Sequence, residues 1–234
     1  MFIVNVALIL VLLSGSHAVL PDVGKCTFME YYCSALKCNT AFFKGLQKDP
    51  NGDCSSKYNQ MANCTIKTLK ICTGDQLSHK QIEGIVRQSF KEVALCSDGA
   101  IEVPTLPSVG SPCSASFSTE ANACVKTFHE KFAADKSDPS LCEEEAKAKQ
   151  CLKKLMATDC NFSSDVQEIL DLSFTDYNPF CANNRDPGAT GNDQCYGTKE
   201  PSEVVANGVA TGHKSSVLQA LLFSFVSLLF FVKV

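Results

Sequence analysis

The chain has 234 residues, 14 cysteines, no tryptophan and a formal net charge of −4. A chain of this length builds one or two small domains, and its mild acidity excludes the basic surface with which proteins grip nucleic acid. An even and dense set of cysteines points to a disulfide framework in an exported protein. No Cys-x-x-Cys pair and no Cys/His cluster of zinc-like spacing occurs to suggest a metal site instead.

In chain order, Phe2–Leu13 is an apolar run closed by Ser14-Gly15-Ser16-His17-Ala18. Small residues at 16 and 18 read as the cleavage site of a secretory signal over 1–18, although no positive charge precedes the run. Residues 19–96 form a first cysteine-rich region with an apolar period of three to four. Phe28, Tyr31, Tyr32, Ala35, Leu36, Phe43 and Leu46 mark one helix. Cys54, Tyr58, Met61, Thr65, Thr68 and Cys72 mark a second, with two polar positions. Ile82, Ile85, Val86, Val93 and Cys96 mark a third, opened by the capping-box sequence Ser78-His79-Lys80-Gln81.

Residues 97–112 (SDGAIEVPTLPSVGSP) are a Pro/Gly/Ser-rich linker. The second region, 113–195, repeats the helical period: Cys124, Phe128 and Phe132 lie four apart, and Val166, Ile169, Leu170, Ser173 and Phe174 fill a face. Ser140-Leu141-Cys142-Glu143 and Ser164-Asp165-Val166-Gln167 read as capping boxes. Glu143→Lys147 and Glu145→Lys149 are favourable surface pairs, and the trio Glu143–Glu145 reads as a solvated first turn favoured by the helix dipole. Ala182–Gln194 is turn chemistry. Residues 196–207 are a stalk, and 208–234 end in the apolar run Val217–Val234. Ala206-Asn207-Gly208-Val209-Ala210, the spacer Thr211–Ser216 and that run together compose a glycosylphosphatidylinositol (GPI) signal, with attachment at Asn207 or Gly208. A single-pass anchor would carry basic residues on its cytoplasmic side, and here the run closes with only Lys233. Removing both end segments leaves 19 basic and 25 acidic residues, a net of −6.

The two cysteine-rich regions resemble each other. Cys26, Cys38, Cys54, Cys64, Cys72 and Cys96 leave gaps of 12, 16, 10, 8 and 24; Cys113, Cys124, Cys142, Cys151, Cys160 and Cys181 leave 11, 18, 9, 9 and 21. Both sets run past an Asp-Pro turn, Asp49-Pro50 and Asp138-Pro139. The expected architecture is all-α: two tandem three-helix repeats, duplicated in sequence.

Helix geometry then restricts the disulfides. Cys142, Cys151 and Cys160 share one helix, where neighbours stand about 13 Å apart at ~1.5 Å per residue, beyond the ~7 Å limit on Cα separation in a disulfide. The same holds for Cys54, Cys64 and Cys72, so each must pair with a cysteine outside its helix. Placing antiparallel turns near Pro50 and Asp75, and near Ser137 and Phe162, selects Cys26–Cys72, Cys38–Cys64, Cys54–Cys96, Cys113–Cys160, Cys124–Cys151 and Cys142–Cys181. Cys33 and Cys195 pair by elimination. Nine residues turn a helix by about 180°, so Cys142 and Cys151 face opposite ways, which requires a third helix to wrap round the second.

Two sequons, Asn63-Cys64-Thr65 and Asn161-Phe162-Ser163, mark Asn63 and Asn161 for N-glycosylation. Catalytic chemistry is not expected. His79 and His129 are the only histidines between the end segments, and neither keeps company with Gly-x-Ser-x-Gly or His-Glu-x-x-His; His129 reads as a surface helix residue. The Cys-Cys-x-x-His-Asp helix and glycine-rich calcium loop of secreted phospholipases A2 are absent. No cofactor, metal or catalytic residue is assigned. The expected function is a GPI-anchored recognition, receptor or adhesion module on the outer leaflet of the plasma membrane, facing an extracellular protein. The alternative is a carrier enclosing a small apolar ligand among its 15 phenylalanines.

Overall fold

A computed structural model of the protein describes residues 22–96, 112–162, 167, 171 and 174–198. Among them the protein is all-helical with no named strand; the only β pairing is three isolated bridges. The helices are α1 (Phe28–Lys48), α2 (Cys54–Thr73), α3 (His79–Ser89), the single-turn α4 (Glu92–Cys96), α5 (Phe117–Ala134) and α6 (Leu141–Asp159). The expected signal segment, most of the expected linker, the expected GPI signal and most of the expected 164–174 helix lie outside the described residues. Of that helix, Gln167 and Asp171 are described and helical.

Local chemistry sets the ends. A capping box not expected from the sequence opens α1: the Thr27 hydroxyl accepts from Glu30 N–H (3.3 Å), and Thr27 N–H donates to the Glu30 carboxylate (2.8 Å). Helix α1 stops at Asp49 because a residue before proline is pushed out of the helical region. Asp53 caps α2, which ends at Gly74 with φ +55°, where a left-handed residue costs glycine nothing. The capping box of Ser78 and Gln81 forms as expected. That of Ser140 does not. Its hydroxyl accepts from the Lys131 ammonium (3.0 Å), and its N–H donates to Asp138 Oδ1 (2.8 Å). A tertiary partner has taken the oxygen that a local cap would use.

In α2 the polar positions Thr65 and Thr68 are satisfied locally, each hydroxyl donating to the carbonyl four residues earlier. The continuous third helix expected over Ile82–Cys96 is broken. Phe90 leaves the helix and buries its ring, and its carbonyl accepts from the buried Tyr58 hydroxyl at 2.6 Å. The break shifts the register of α4, so Val93, expected on the apolar face, is 67% exposed.

Helices α1 and α2 form one antiparallel hairpin and α5 and α6 another, each closed by disulfides. The bonds are Cys26–Cys72, Cys38–Cys64, Cys54–Cys96, Cys113–Cys160, Cys124–Cys151, Cys142–Cys181 and Cys33–Cys195. The first six are the pairs that antiparallel geometry selects and the seventh is the pair left by elimination, with Cα separations of 3.9 to 5.8 Å. The half-turn between Cys142 and Cys151 is resolved differently from expectation. Cys151 reaches α5, whereas Cys142 bonds Cys181 in an irregular segment beyond any third helix.

One cluster of buried residues runs through both halves, from Val23, Phe43, Tyr58, Leu69 and Leu95 to Phe128, Phe132, Leu141, Leu152 and Phe180. Burying this surface is the main favourable term for so small a fold. Where the halves meet, Phe180 stands among three rings: Phe43 at 5.1 Å, Phe128 at 5.3 Å and Phe132 at 5.7 Å between centroids.

Candidate functional site: a buried polar cluster under the C-terminal segment

The described residues Phe174–Thr198 lie against α1 and α6 at once, and beneath them the molecule buries charge. The i, i+3, i+4, i+7 face of α6 carries Leu141, Glu145, Ala148, Lys149 and Leu152, all buried. Glu145 and Lys149 therefore occupy core positions, each only 5% exposed. This corrects the reading of Glu143–Glu145 as a solvated turn. Glu143 is exposed and meets Lys147 at 3.0 Å, as expected. Glu144 bonds Lys131 (3.1 Å), whose ammonium holds its carboxyl below the usual range. Glu145 alone turns inward.

The expected Glu145→Lys149 ion pair does not form, because the lysine is fully engaged elsewhere. An ammonium has three donors. Lys149 Nζ donates to the Thr175 carbonyl (3.2 Å) and the Tyr177 carbonyl (2.6 Å) and forms an ion pair with Asp186 Oδ2 at 2.8 Å. Glu145 is left with Oε2 buried and without a hydrogen-bond partner. Burial pushes its carboxyl up to about 8; the nearby Lys149 charge opposes the rise and the Asp186 carboxylate adds to it. At neutral pH this side chain is mainly the uncharged acid.

The rest of the cluster ties the segment to its neighbours. Asn178, wholly buried, donates to the Cys142 carbonyl (2.9 Å) and Asp186 Oδ1 (2.8 Å), and accepts from Phe180 N–H (3.1 Å). Arg185 clasps the Asp176 carboxylate. Toward α1, the Tyr177 hydroxyl meets Thr40 Oγ1 at 2.6 Å, and burial raises its pKa well above the ordinary phenol value. Lys44 donates to the Cys181 carbonyl (2.6 Å) and Gln47 to that of Phe180 (3.3 Å). The Cys33–Cys195 bond closes the far end of the segment onto α1.

Chemically this is a joint. Its amine and phenol bond protein groups, while its acid is buried beside them without a partner for Oε2. Among the described residues no group of three or more His, Cys, Asp or Glu is placed to hold a metal ion. His129, expected on the surface, is buried beside Phe128, on the face that also carries Ala121, Val125 and Phe132. His79 is exposed at the start of α3. Of the sequon asparagines, Asn63 is exposed on α2, though Thr65 of that sequon is buried, and Asn161 is exposed just beyond α6. Asn207 and Gly208 lie outside the described residues.

The cluster was legible in principle. Glu145 and Lys149 fall on the apolar register of α6, but an i, i+4 charge pair on a lysine-rich helix reads first as solvated. No protein-family model matches the chain, and no solved structure matches it.

Proposed function

We propose that the protein is an exported, non-catalytic recognition module, tethered by GPI to the outer leaflet of the plasma membrane and presenting a disulfide-braced helical ectodomain to an extracellular protein. The observation that carries this reading is the closure of all fourteen cysteines into seven bonds, the chemistry of an oxidising compartment. The signal-like 1–18 and the small-site, spacer and apolar tail around Asn207 and Gly208 supply the route and the tether. Tandem duplication is supported by the bond ladder: Cys26–Cys72, Cys38–Cys64 and Cys54–Cys96 correspond in order to Cys113–Cys160, Cys124–Cys151 and Cys142–Cys181.

The phenylalanines that suggested an apolar-ligand carrier weigh toward the recognition reading. Phe43, Phe128, Phe132 and Phe180 fill one another's space as core. Glycan at Asn63 requires transfer before α2 closes, since the Thr65 hydroxyl is then buried on the Met61 carbonyl; Asn161 imposes no such order through its own exposed position.

Treatment of expressing cells with phosphatidylinositol-specific phospholipase C tests the tether, with release of the protein expected; protein that stays on the membrane, or is shed without the enzyme, speaks against it. Binding of the released ectodomain to intact cells then tests recognition. A stoichiometric apolar molecule in its organic extract would favour the carrier.

A further inference from the structure

The hold of residues 174–198 on both halves converges on one buried acid with an unsatisfied oxygen. Glu145 Oε2 has no hydrogen-bond partner, and the ammonium beside it, Lys149, is spent on two carbonyls of the segment and on Asp186. We propose that residues 174–198 form a pH-gated strap, held shut over α1 and α6 while Glu145 carries its proton and loosened when Glu145 ionises.

The geometry supplies the mechanism. An uncharged acid is tolerated in the core at the cost of one unsatisfied oxygen, whereas an isolated buried carboxylate is not. Once the proton leaves, two carboxylates, Glu145 and Asp186, compete for one ammonium. Lys149 relieves the new charge by turning toward Glu145, and in doing so it gives up the Thr175 and Tyr177 carbonyls and Asp186. Asp186 is also an acceptor for Asn178, so the loss reaches the bonds that seat Phe180.

Among the described residues no other cation faces the acid to quench it. From the strap it meets Asp186 and the Tyr177 phenol, with Asp176 neutralised by Arg185. From α1, Tyr32 acts on Tyr177 and Lys44 is committed to the Cys181 carbonyl; from α5, Lys131 is committed to Ser140 and Glu144. From α6 itself there is only Lys149. Burial places the ionisation in the mildly alkaline range, within reach of an extracellular protein. The Cys142–Cys181 and Cys33–Cys195 bonds keep the loosened strap attached, so opening is local and reversible.

Hydrogen–deuterium exchange of the full chain in detergent, read on peptides covering 174–198 at about pH 6 and about pH 9.5 and corrected for base-catalysed intrinsic exchange, tests this. Protection of the strap should fall by about tenfold or more in the wild type while α2 keeps its own. Glu145→Gln, which copies the protonated acid, should hold protection constant. Asp186→Asn, which frees Lys149 for Glu145, should move the midpoint down by about one pH unit. A wild-type strap equally protected at both pH values overturns the proposal, as does an unchanged drop in Glu145→Gln. If that variant fails to fold, an unmoved midpoint in Asp186→Asn overturns it alone.

Discussion

Phe180 offers the sharpest test of how the two helical hairpins are joined. Its ring is 6% exposed and packs against Phe43 from α1 and Phe128 and Phe132 from α5. Phe→Ala at a core site costs about 3–5 kcal/mol, and ring pairs of this geometry contribute about 0.5–1.5 kcal/mol beyond their buried area. The neighbouring Cys142–Cys181 bond pins the backbone, so the site cannot collapse on the void. Phe180→Ala should therefore lose about 4 kcal/mol. At about 2–4 °C per kcal/mol for a protein of this size, the melting temperature should fall by about 8–16 °C. Circular dichroism during urea and thermal unfolding, with disulfides intact, measures both. Because one core spans both halves, the wild type should unfold in a single transition that the substitution weakens or splits. Tyr196→Ala, at an 87% exposed position, serves as the control and should change stability by under about 0.5 kcal/mol. A loss in Phe180→Ala below about 1 kcal/mol, or two independent transitions in the wild type, would refute the shared core.

Four further outcomes can be measured on the same preparations. The double substitution Cys33→Ser/Cys195→Ser removes a bond of sequence separation 162; the loop-entropy limit is about 5 kcal/mol, reduced by the bonds already closing that loop, and urea midpoints should show a loss with α2 exchange unchanged. Tyr58→Phe strands the Phe90 carbonyl and should cost about 1–3 kcal/mol, with faster amide exchange in α3 and α4 as the specific sign. Gly24 has φ +64° and a Cβ there would collide with the Cys72 carbonyl oxygen, so Gly24→Ala should destabilise by about 2–4 kcal/mol in the same melts. Glu145 holds its proton more tightly folded than unfolded, so its contribution is complete below the ordinary glutamate range and is lost as pH rises to about 8. Asp135, Asp138 and Glu144, whose carboxyls are held low by bonds from Ser137, Ser140 and Lys131, act in the opposite sense, losing theirs as pH falls through the acid range. Urea midpoints should decline from about pH 5 to about pH 8, and Glu145→Gln should flatten that limb.

The places where local reading failed share a cause. Ser140 has the capping sequence, yet its hydroxyl serves Lys131 from another helix. Val93 keeps the apolar spacing, yet the Tyr58–Phe90 bond breaks the helix before it. Glu145, Lys149 and His129 look polar enough to face water and are buried, because α5 and α6 are covered on sides that a lone hairpin would leave wet. For Ser140, for the helix break before Val93 and for Lys149, a partner distant in sequence outweighed a local preference of about a kilocalorie.

Period, caps and cysteine spacing by themselves determined that the chain is helical and which sulfurs meet, because rise per residue and antiparallel turns leave few pairs within bonding reach. Beyond the Cys33–Cys195 link expected between the halves, tertiary structure alone decided that Phe174–Thr198, turn-rich and unpromising as a string, packs its ring and carbonyls against both of them. The reason is physical: a segment without period carries no signal of its own, and its value lies in the carbonyls, ring and carboxylate it offers to Lys44, Lys149 and three phenylalanines brought near only by the fold.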